Sequence, residues 1–307
     1  MITGLRRSVL YVPGDSERML QKAAASGADM LLLNLEDGVA PSKKVVAREN
    51  VLRSLRSLNF GDREVVVRIN SLPSDIGRQD LATLASCRPD GICLPKIEQA
   101  ADIHAADVAL LELEIGHGLP EGGLKIHAMI ESAAGVMAAA GIAAASRRMA
   151  SLIFGSADYV ADLRCRPGQL REELLFALQM IVTSARAAGI DAIDTPCFDL
   201  RNHDLLRMEA QQAYRLGFEG KSALHPGQIA IIHNVFHVTQ DEAAWAQRVL
   251  AELDQAESRG RALSTLDGQL IDNPHRAAAE RLLRRQMLSK EATKNRLESE
   301  SSNPDRS

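Results

Sequence analysis

The feature that most constrains the fold of this sequence is a repeated alternation of short apolar runs with longer segments of helical pattern. Eight runs have the length and aliphatic content of buried strands, and seven helical patterns separate them at an average spacing of about thirty residues. Such alternation builds a parallel sheet, and eight units can close into a barrel, so we predict an α/β protein with a (β/α)8 TIM barrel. An open doubly wound sheet is the alternative fold, although it usually has fewer strands. The predicted strands are residues 8–12, 30–35, 64–69, 91–94, 125–130, 151–154, 191–196 and 222–224.

The fifth and sixth predicted strands each end in a carboxylate, Glu131 and Asp158. Between them, residues 132–148 are rich in alanine, have helical length and begin with a serine that can cap a helix. A strand, helix, strand order makes the two strands parallel neighbours, so both acids emerge at the same edge of the sheet. They are oxygen donors of the type that Mg²⁺ prefers, although surface acids at the starts of loops would give the same pattern.

Other polar side chains also fall at predicted carboxyl ends of strands, where a barrel builds its active site. A positive charge at the end of an apolar strand is costly unless it is paired or bound to an anion. Arg68 and Lys96 therefore favour an anionic substrate over a purely structural ion pair. The whole set comprises Glu36, Asp37, Arg68, Asn70, Lys96, Glu131, Asp158 and His225.

The chain after His225 contains more helix than a closed barrel uses. We therefore predict a barrel domain at residues 1–235 and a C-terminal helical extension, able to act as a lid, at residues 236–289. In this extension, residues 265–275 connect the last two predicted helices. Residues 290–307 are polar and lack aromatic side chains, which is typical of a disordered tail.

Composition excludes several classes of function. The net charge of -4 and an aromatic content of 3% provide no basic, stacking surface for nucleic acid. The four cysteines form no C-x-x-C pair, so we expect reduced thiols and a cytoplasmic protein. We expect no membrane partner either, because no apolar stretch is long enough to span a bilayer and the N-terminus lacks a secretory h-region.

Several partial motifs are better explained as ordinary loops and helices. The stretch ending in Gly220-Lys221-Ser222 has Arg215 where a phosphate loop requires glycine. His233 and His237 are four residues apart, but Asn234 replaces the glutamate of a zinc-protease helix. The sequence also lacks the G-x-S-x-G elbow of α/β-hydrolases.

Nine segments, in order, resemble the citrate lyase beta subunit-like family, which includes the malyl-CoA and citramalyl-CoA lyases. The resemblance runs from about residue 5 to residue 285. The segments are RSVLYVPG (7–14), LEDGV (35–39), KKVVAR (43–48), VVVRIN (65–70), GICLPKIE (91–98), IESAAGV (130–136), FGSADYVADL (154–163), GFEGKSALHPGQI (217–229) and DGQLID (267–272).

The resemblance implies a TIM barrel in which Glu131 and Asp158 hold Mg²⁺, with Mn²⁺ as a substitute. It further implies that Arg68 contacts the substrate and that Asp272 serves as the catalytic acid or base. The implied reaction cleaves a β-hydroxyacyl-CoA, such as malyl-CoA or citramalyl-CoA, into an α-keto acid and a short acyl-CoA, or forms it from these two compounds. The resemblance also implies a homo-oligomer, a trimer or hexamer, with active sites shared between chains.

Two lysines, Lys22 and Lys96, are candidates for contact with the phosphates of CoA or for pairing with Glu36 and Asp37. Both acids are themselves candidates for substrate binding.

This chain departs from the family pattern at two positions. Asn34 stands where many members have aspartate, and Ala157 stands where many have glutamate. Because of both departures, the sequence does not identify the substrate.

Three other functions agree with the resemblance or the fold: a citrate lyase beta subunit acting on citryl bound to an acyl carrier protein, a metal-dependent aldolase acting on free hydroxy-keto acids, and a non-catalytic binding protein. The presence of all four proposed functional residues, Arg68, Glu131, Asp158 and Asp272, argues against the last.

Overall fold

The computed structural model describes residues 4–84, 87–168 and 170–301, with side chains as far as residue 294. Within the unit Met1–Phe236, eight parallel strands form a closed barrel, and the eighth strand pairs with the first, with Ser8 opposite Lys221. The TIM-barrel prediction is confirmed. The strands are β1 (Ser8–Pro13), β2 (Met30–Asn34), β3 (Glu64–Arg68), β4 (Gly91–Leu94), β5 (Lys125–Ile130), β6 (Met149–Phe154), β7 (Asp191–Asp194) and β8 (Gly220–Ala223).

Helices follow the strands and cover the outside of the barrel, and their ends are set by local capping. The Ser132 hydroxyl accepts the N–H of Gly135 at the start of the fifth helix, and Gly189 ends the seventh helix in the left-handed region at φ +70. The seventh helix begins at Leu175, directly after a 3-10 turn at residues 172–174. The helices are α1 (Glu17–Ala24), α2 (Lys44–Ser57), α3 (Asp75–Leu84), α4 (Ala100–Gly116), α5 (Ala133–Ala144), α6 (Ser156–Leu163), α7 (Leu175–Ala188), α8 (His203–Leu216) and α9 (Ile229–Val235).

The barrel has two cores because alternate residues of each strand point to opposite faces. The outer core lies between strands and helices and consists mainly of alanine, leucine, valine and isoleucine. The inner core fills the barrel and is joined by the partly buried Tyr11. Its members are Val9, Met30, Leu32, Val66, Cys93, Met129, Ile153 and Ile193.

An ionic layer occupies the amino-terminal end of the barrel. Arg6 lies 2.5 Å from one oxygen of Glu64 and 2.6 Å from Asp191, and His127 accepts or donates a 2.8 Å bond with Ser151. Burial acts to raise the pKa of Glu64, but its bonds to Arg6 and His127 outweigh burial and hold the pKa well below the usual value. Since this end is filled, the carboxyl ends of the strands remain for a binding site.

The unit His237–Ser307 contains two helices and a short hairpin: α10 (Gln240–Ser258), β9 (Ser264–Leu266), β10 (Gln269–Ile271) and α11 (Asn273–Ser301). The connection between the last two predicted helices is therefore a hairpin. Its turn uses Asp267 at φ +50 and Gly268 at φ +79, the positive angles that the two central residues of a type I′ turn require. A small core made chiefly of Val249, Leu253 and Ile271 holds the unit together.

Two predicted boundaries differ from the structure. The division falls after Phe236, one residue beyond the prediction, and Phe236 packs edge-on against Tyr214 at 5.7 Å. The tail predicted as disordered from residue 290 is helical through Ser301. No glycine or proline interrupts residues 290–301, so nothing in this segment breaks the helix. The remainder of the predicted tail, residues 302–307, lies outside the described residues.

Among the helices of the described residues, none is both long and apolar enough to cross a membrane.

A buried ionic cluster joins the barrel wall to the surrounding helices. The Lys221 ammonium is fully buried, lies 2.8 Å from Asp194 and approaches Glu209 to 2.9 Å, although the latter contact is not aligned as a hydrogen bond. Arg171 donates to both oxygens of Asp194, at 2.6 and 3.2 Å. Burial acts to raise the pKa of Asp194, but the charges of Arg171 and Lys221 outweigh it and lower the pKa.

We predict that Lys221→Met lowers the free energy of unfolding by about 3 kcal/mol, because removal of one partner leaves a buried charge uncompensated. Urea denaturation followed by circular dichroism measures the change. Arg186→Gln is the control, since the Arg186–Glu219 pair lies at the surface and should contribute under about 1 kcal/mol. A loss for Lys221→Met no larger than that of the control would show that the cluster does not stabilise the barrel.

Candidate active site

The register of two neighbouring strands places Glu131 beside the start of α6. Ile130 of β5 pairs with Phe154 of β6, and the N–H of Gly155 donates to the carbonyl of Ile130 at 3.0 Å. A Cβ atom at Gly155 would lie 2.6 Å from the Glu131 carboxylate, so only glycine permits this approach. Asp158 follows in the first turn of α6 and is exposed. The structure thus brings the two predicted acids to one mouth of the barrel.

Glu131 is an unusual carboxyl group because it is only 3% exposed. Burial, and then the negative charge of Asp158, raise its pKa from 4.5 to about 7, against the opposing effects of the Lys96 N–H and the Arg68 charge. A bound cation would stabilise the charged form.

Lys96 contributes its backbone and its side chain separately. Its backbone N–H donates to Glu131 at 2.7 Å. In this position the backbone of Lys96 has a φ angle of +54. A non-glycine residue in this region costs roughly 1 kcal/mol, so the conformation needs support from its surroundings. Meanwhile its ammonium lies 3.2 Å from Asp37 and 3.4 Å from Glu36. The predicted pairing of Lys96 with both acids is therefore present.

Arg68 ends β3 with its guanidinium buried and bonded along one edge. Nε donates to Asn34 Oδ1 at 2.8 Å, and Nη2 donates to the carbonyl of Asp37 at 3.0 Å. The same Nη2 lies 3.3 Å from the Glu36 carboxylate. Burial acts to lower the pKa of Arg68, but neighbouring groups, including Glu36, outweigh it and raise the pKa. Arg68 is thus held as a charged group in a fixed orientation.

The other edge of Arg68 has a weaker partner. Nη1 lies 3.2 Å from the thioether sulfur of Met129, and the guanidinium lies 5.6 Å from the centre of the Tyr11 ring. A thioether is a weak acceptor, so Nη1 keeps most of its capacity to donate to a ligand oxygen.

Asn34 explains how the chain accommodates its first departure from the family pattern. Its side-chain oxygen accepts both the N–H of Glu36, at 2.9 Å, and the Nε–H of Arg68. Its amide nitrogen donates to the carbonyl of Asp37 at 2.6 Å. An ionised aspartate has no donor, so it could not make this last bond. Asn34 therefore orders the turn after β2 and positions Arg68 without adding negative charge.

Glu131 and Asp158 fit a divalent cation by chemistry and placement. Mg²⁺ in proteins commonly binds one or two carboxylates and completes its coordination with water and substrate oxygens. The raised pKa of Glu131 indicates a site that gains from a positive charge. No group of three histidine, cysteine or acidic side chains with metal-site geometry occurs in the described part of the chain, so substrate and water would supply the other ligands.

The remaining predicted residues have mixed locations. Lys22 is exposed in the last turn of α1, and across the described residues it makes no hydrogen bond or ion pair with the acids of the site. Asn70 binds Asp80 and the carbonyl of Leu35, which is a structural arrangement. His225 accepts the N–H of Gly227 in a capping turn.

Asp272 belongs to the C-terminal unit, where it immediately precedes α11. Its side chain is 45% exposed, and its Oδ1 atom lies 2.6 Å from Nδ1 of His275.

Sequence reasoning missed three contacts of the predicted residues. Tyr11 and Met129 both point into the barrel, as the alternation along β1 and β5 could have indicated. His275 was missed although it is three residues after Asp272, the spacing that brings side chains together at the start of a helix.

Comparison with known protein families gives two matches along the chain. The family described as HpcH/HpaI aldolase/citrate lyase matches residues 7–226. A second, described as C-C bond lyase of the TIM-barrel fold, matches residues 176–288. Together they span the barrel and most of the C-terminal unit.

Individual relatives align along nearly their full length. The chain is 36% identical to citrate lyase subunit beta of Leuconostoc mesenteroides subsp. cremoris, covering 91% of this chain and 93% of that protein. It is 35% identical to a (3S)-malyl-CoA thioesterase of Cereibacter sphaeroides, covering 90% and 93%.

Among solved structures, protein CitE from Mycobacterium tuberculosis in complex with magnesium, acetoacetate and coenzyme A matches with a TM-score of 0.74. The two are 30% identical, over 92% of this chain and 98% of that one. These matches agree with the closed barrel. The chain therefore belongs to the HpcH/HpaI aldolase/citrate lyase family, and it is a carbon–carbon lyase of that family.

Proposed function

We propose that the protein is a Mg²⁺-dependent lyase that cleaves or forms a β-hydroxyacyl-CoA, such as malyl-CoA or citramalyl-CoA. The products of cleavage are an α-keto acid and a short acyl-CoA. The observation that carries this proposal is the pairing of Glu131 and Asp158 beside the buried guanidinium of Arg68. The solved relative with magnesium, acetoacetate and coenzyme A supports the same choice of ligands. Mn²⁺ should substitute for Mg²⁺.

Cleavage leaves an electron pair on the carbon next to the thioester carbonyl, so negative charge develops on the thioester oxygen. Bound to Glu131 and Asp158, the cation would supply Lewis-acid stabilisation of the keto-acid oxygens. Arg68 is placed to stabilise the opposite half, because Nη1 can donate to the thioester oxygen. A rigid donor is effective here, since it needs no reorganisation as the charge appears.

Asp272 is proposed as the acid that returns a proton to the α-carbon after cleavage, and as the base that removes it in the reverse direction. Its side chain is 45% exposed, so the carboxyl group is accessible to a substrate. Of the two candidate lysines, Lys96 is paired with Glu36 and Asp37, which leaves Lys22 as the candidate for a CoA phosphate.

The oligomeric state is also part of the proposal. We infer a homo-oligomer, a trimer or hexamer, in which the C-terminal unit of one chain serves as the lid of a neighbouring chain's barrel. The support is that Asp272 belongs to a different compact unit from Glu131 and Asp158. The cytoplasm is the proposed location, supported by four cysteines that are free thiols.

Two relatives suggest specific alternatives. The citrate lyase subunits favour a citryl group on an acyl carrier protein, which changes the carrier but not the bond broken. The (3S)-malyl-CoA thioesterase favours hydrolysis of the thioester, which releases free CoA and a hydroxy acid. A non-catalytic binding role would give no products.

The test is to incubate the purified protein with malyl-CoA, citramalyl-CoA and citryl-carrier protein, and to quantify keto acid, acyl thioester and free CoA. We expect keto acid and acyl-CoA in equal amounts, no free CoA, and loss of activity in excess chelator.

Glu131→Gln and Asp158→Asn should lose activity by roughly a thousandfold, because a site with two protein ligands cannot spare one. Asp162→Asn, which changes another acid of α6, is the control. Free CoA with malate would instead indicate a thioesterase, and a full rate in chelator would exclude the metal mechanism.

Replacement of Arg68 by lysine should reduce kcat by about a hundredfold although the charge is kept, because an ammonium lacks the planar donors of the guanidinium. Steady-state kinetics with the best substrate measures the effect, and circular dichroism checks the fold. Arg78→Lys, at the surface of α3, should leave the rate unchanged. If Arg68→Lys retained a normal rate, Arg68 would have a structural role only.

Complementation tests the shared site. Asp272→Ala and Glu131→Ala proteins, each inactive alone, should regain part of the activity when they are co-expressed. Some interfaces of the mixed oligomer would then combine an intact metal site with an intact acid. Size-exclusion chromatography and two different affinity tags confirm that mixed oligomers form. Mixed oligomers without activity, or an active wild-type monomer, would contradict a shared site.

A further inference from the structure

The contact between Asp272 and His275 requires a proton. The two atoms, Oδ1 of Asp272 and Nδ1 of His275, are 2.6 Å apart, which is a short hydrogen-bond distance. The backbone N–H of Asp272 also approaches Nδ1, at 3.3 Å. An imidazole nitrogen cannot donate and accept at once, so only one of these contacts is a hydrogen bond at a time. The shorter contact fits a proton held between the carboxyl group and the ring.

A capping role alone would use the longer contact. His275 and Arg276 donate their backbone N–H groups to the carbonyl of Asp272 at the start of α11. In α10, Glu242 makes the corresponding side-chain bond back to the N–H of Thr239. Such a bond needs an acceptor at the third helical position and no exchangeable proton. Glutamine or glutamate would serve it as well as histidine.

We propose that His275 is a positioning residue that orients Asp272 and exchanges its proton with solvent. This inference rests on the acid–base role proposed for Asp272. The Nδ1–H bond fixes Oδ1 and leaves Oδ2 for the substrate. After Asp272 has given its proton to the α-carbon, Nδ1–H returns one to the carboxylate while Nε2 takes one from water. The proton that the substrate hydroxyl loses on cleavage neutralises the hydroxide that remains. In the condensation direction the same transfers run in reverse, so no proton is gained or lost by the pair.

The surroundings of His275 leave its second nitrogen open to this exchange, because the side chain is 43% exposed. Several charged groups of α10 and the hairpin have other partners. Arg276 pairs with Asp254 at 2.7 Å and with Glu257 at 3.5 Å. The other pairs are Arg248 with Asp267 and Glu252 with Ser264. Within the described residues, Asp272 is the charged group that contacts the ring.

The decisive variant is His275→Gln, because glutamine keeps a capping acceptor and an amide donor but cannot exchange a proton. We expect an unchanged KM, a kcat reduced by roughly tenfold, and a pH–rate profile that differs from that of the wild type. Added imidazole should restore part of the rate of His275→Ala. Arg276→Gln, at the next position, is the control and should keep the wild-type profile. A His275→Gln enzyme that matches the wild type at every pH would overturn the proposal and leave capping as the only role.

A second measurement does not depend on catalysis. The ¹⁵N chemical shifts of the His275 ring in the intact protein report which nitrogen carries the proton. We expect the Nδ1–H form in the wild type and a loss of this preference in Asp272→Asn. An Nε2–H ring in the wild type would refute the inference. If no lyase reaction were found, the function proposed above would fail, whereas the ring shifts would still decide whether the pair shares a proton.

Discussion

The site depends on one electrostatic constraint, the burial of the Glu131 carboxyl group next to a second acid. Burial and the charge of Asp158 raise its pKa to about 7, well above that of an ordinary glutamate. Between the ordinary value and 7, the folded metal-free protein holds a proton that the unfolded chain has lost. Its stability therefore falls as pH rises through this window. A divalent cation removes this penalty because it replaces the proton.

The barrel backbone positions the Glu131 carboxylate. Parallel register places Gly155 against Glu131, and Lys96 adopts a left-handed conformation that directs its N–H at the carboxylate.

The arginine half of the site is built by the turn that follows β2. Asn34 uses both ends of its amide, accepting from Arg68 and donating to the carbonyl of Asp37. Glu36 lies near the same guanidinium, and Lys96 offsets the charge of Glu36 and Asp37. These contacts occupy Nε and Nη2, so the donors of Nη1 remain directed at weak acceptors. The chain thus presents a cation-binding pair and a hydrogen-bond donor side by side, as cleavage next to a thioester carbonyl requires.

Much of this arrangement was predictable from sequence because it follows from strand order. Apolar runs of strand length, alternating with helices, predicted the eight strands, and the acids at the ends of the fifth and sixth runs had to meet at one edge. Contacts that depend on side-chain geometry were not predictable in this way. The Asp267–Gly268 turn carried a recognised hairpin signal that the surrounding helical patterns obscured. The tail after residue 290 is polar enough to suggest disorder, yet it lacks the glycine or proline that would end α11. For Asn34, the sequence indicated a missing charge but not the three hydrogen bonds that give the amide its role.

The central claim is that a cation replaces a proton on Glu131, and calorimetric titration with Mg²⁺ tests it most directly. Titrations in two buffers with different ionisation enthalpies give the number of protons released on binding. With a pKa of about 7 for Glu131, binding should release close to one proton at pH 6 and almost none at pH 8.5, and Glu131→Gln should abolish both the release and the binding. Proton release that does not change with pH, or binding that persists unchanged in Glu131→Gln, would contradict the account.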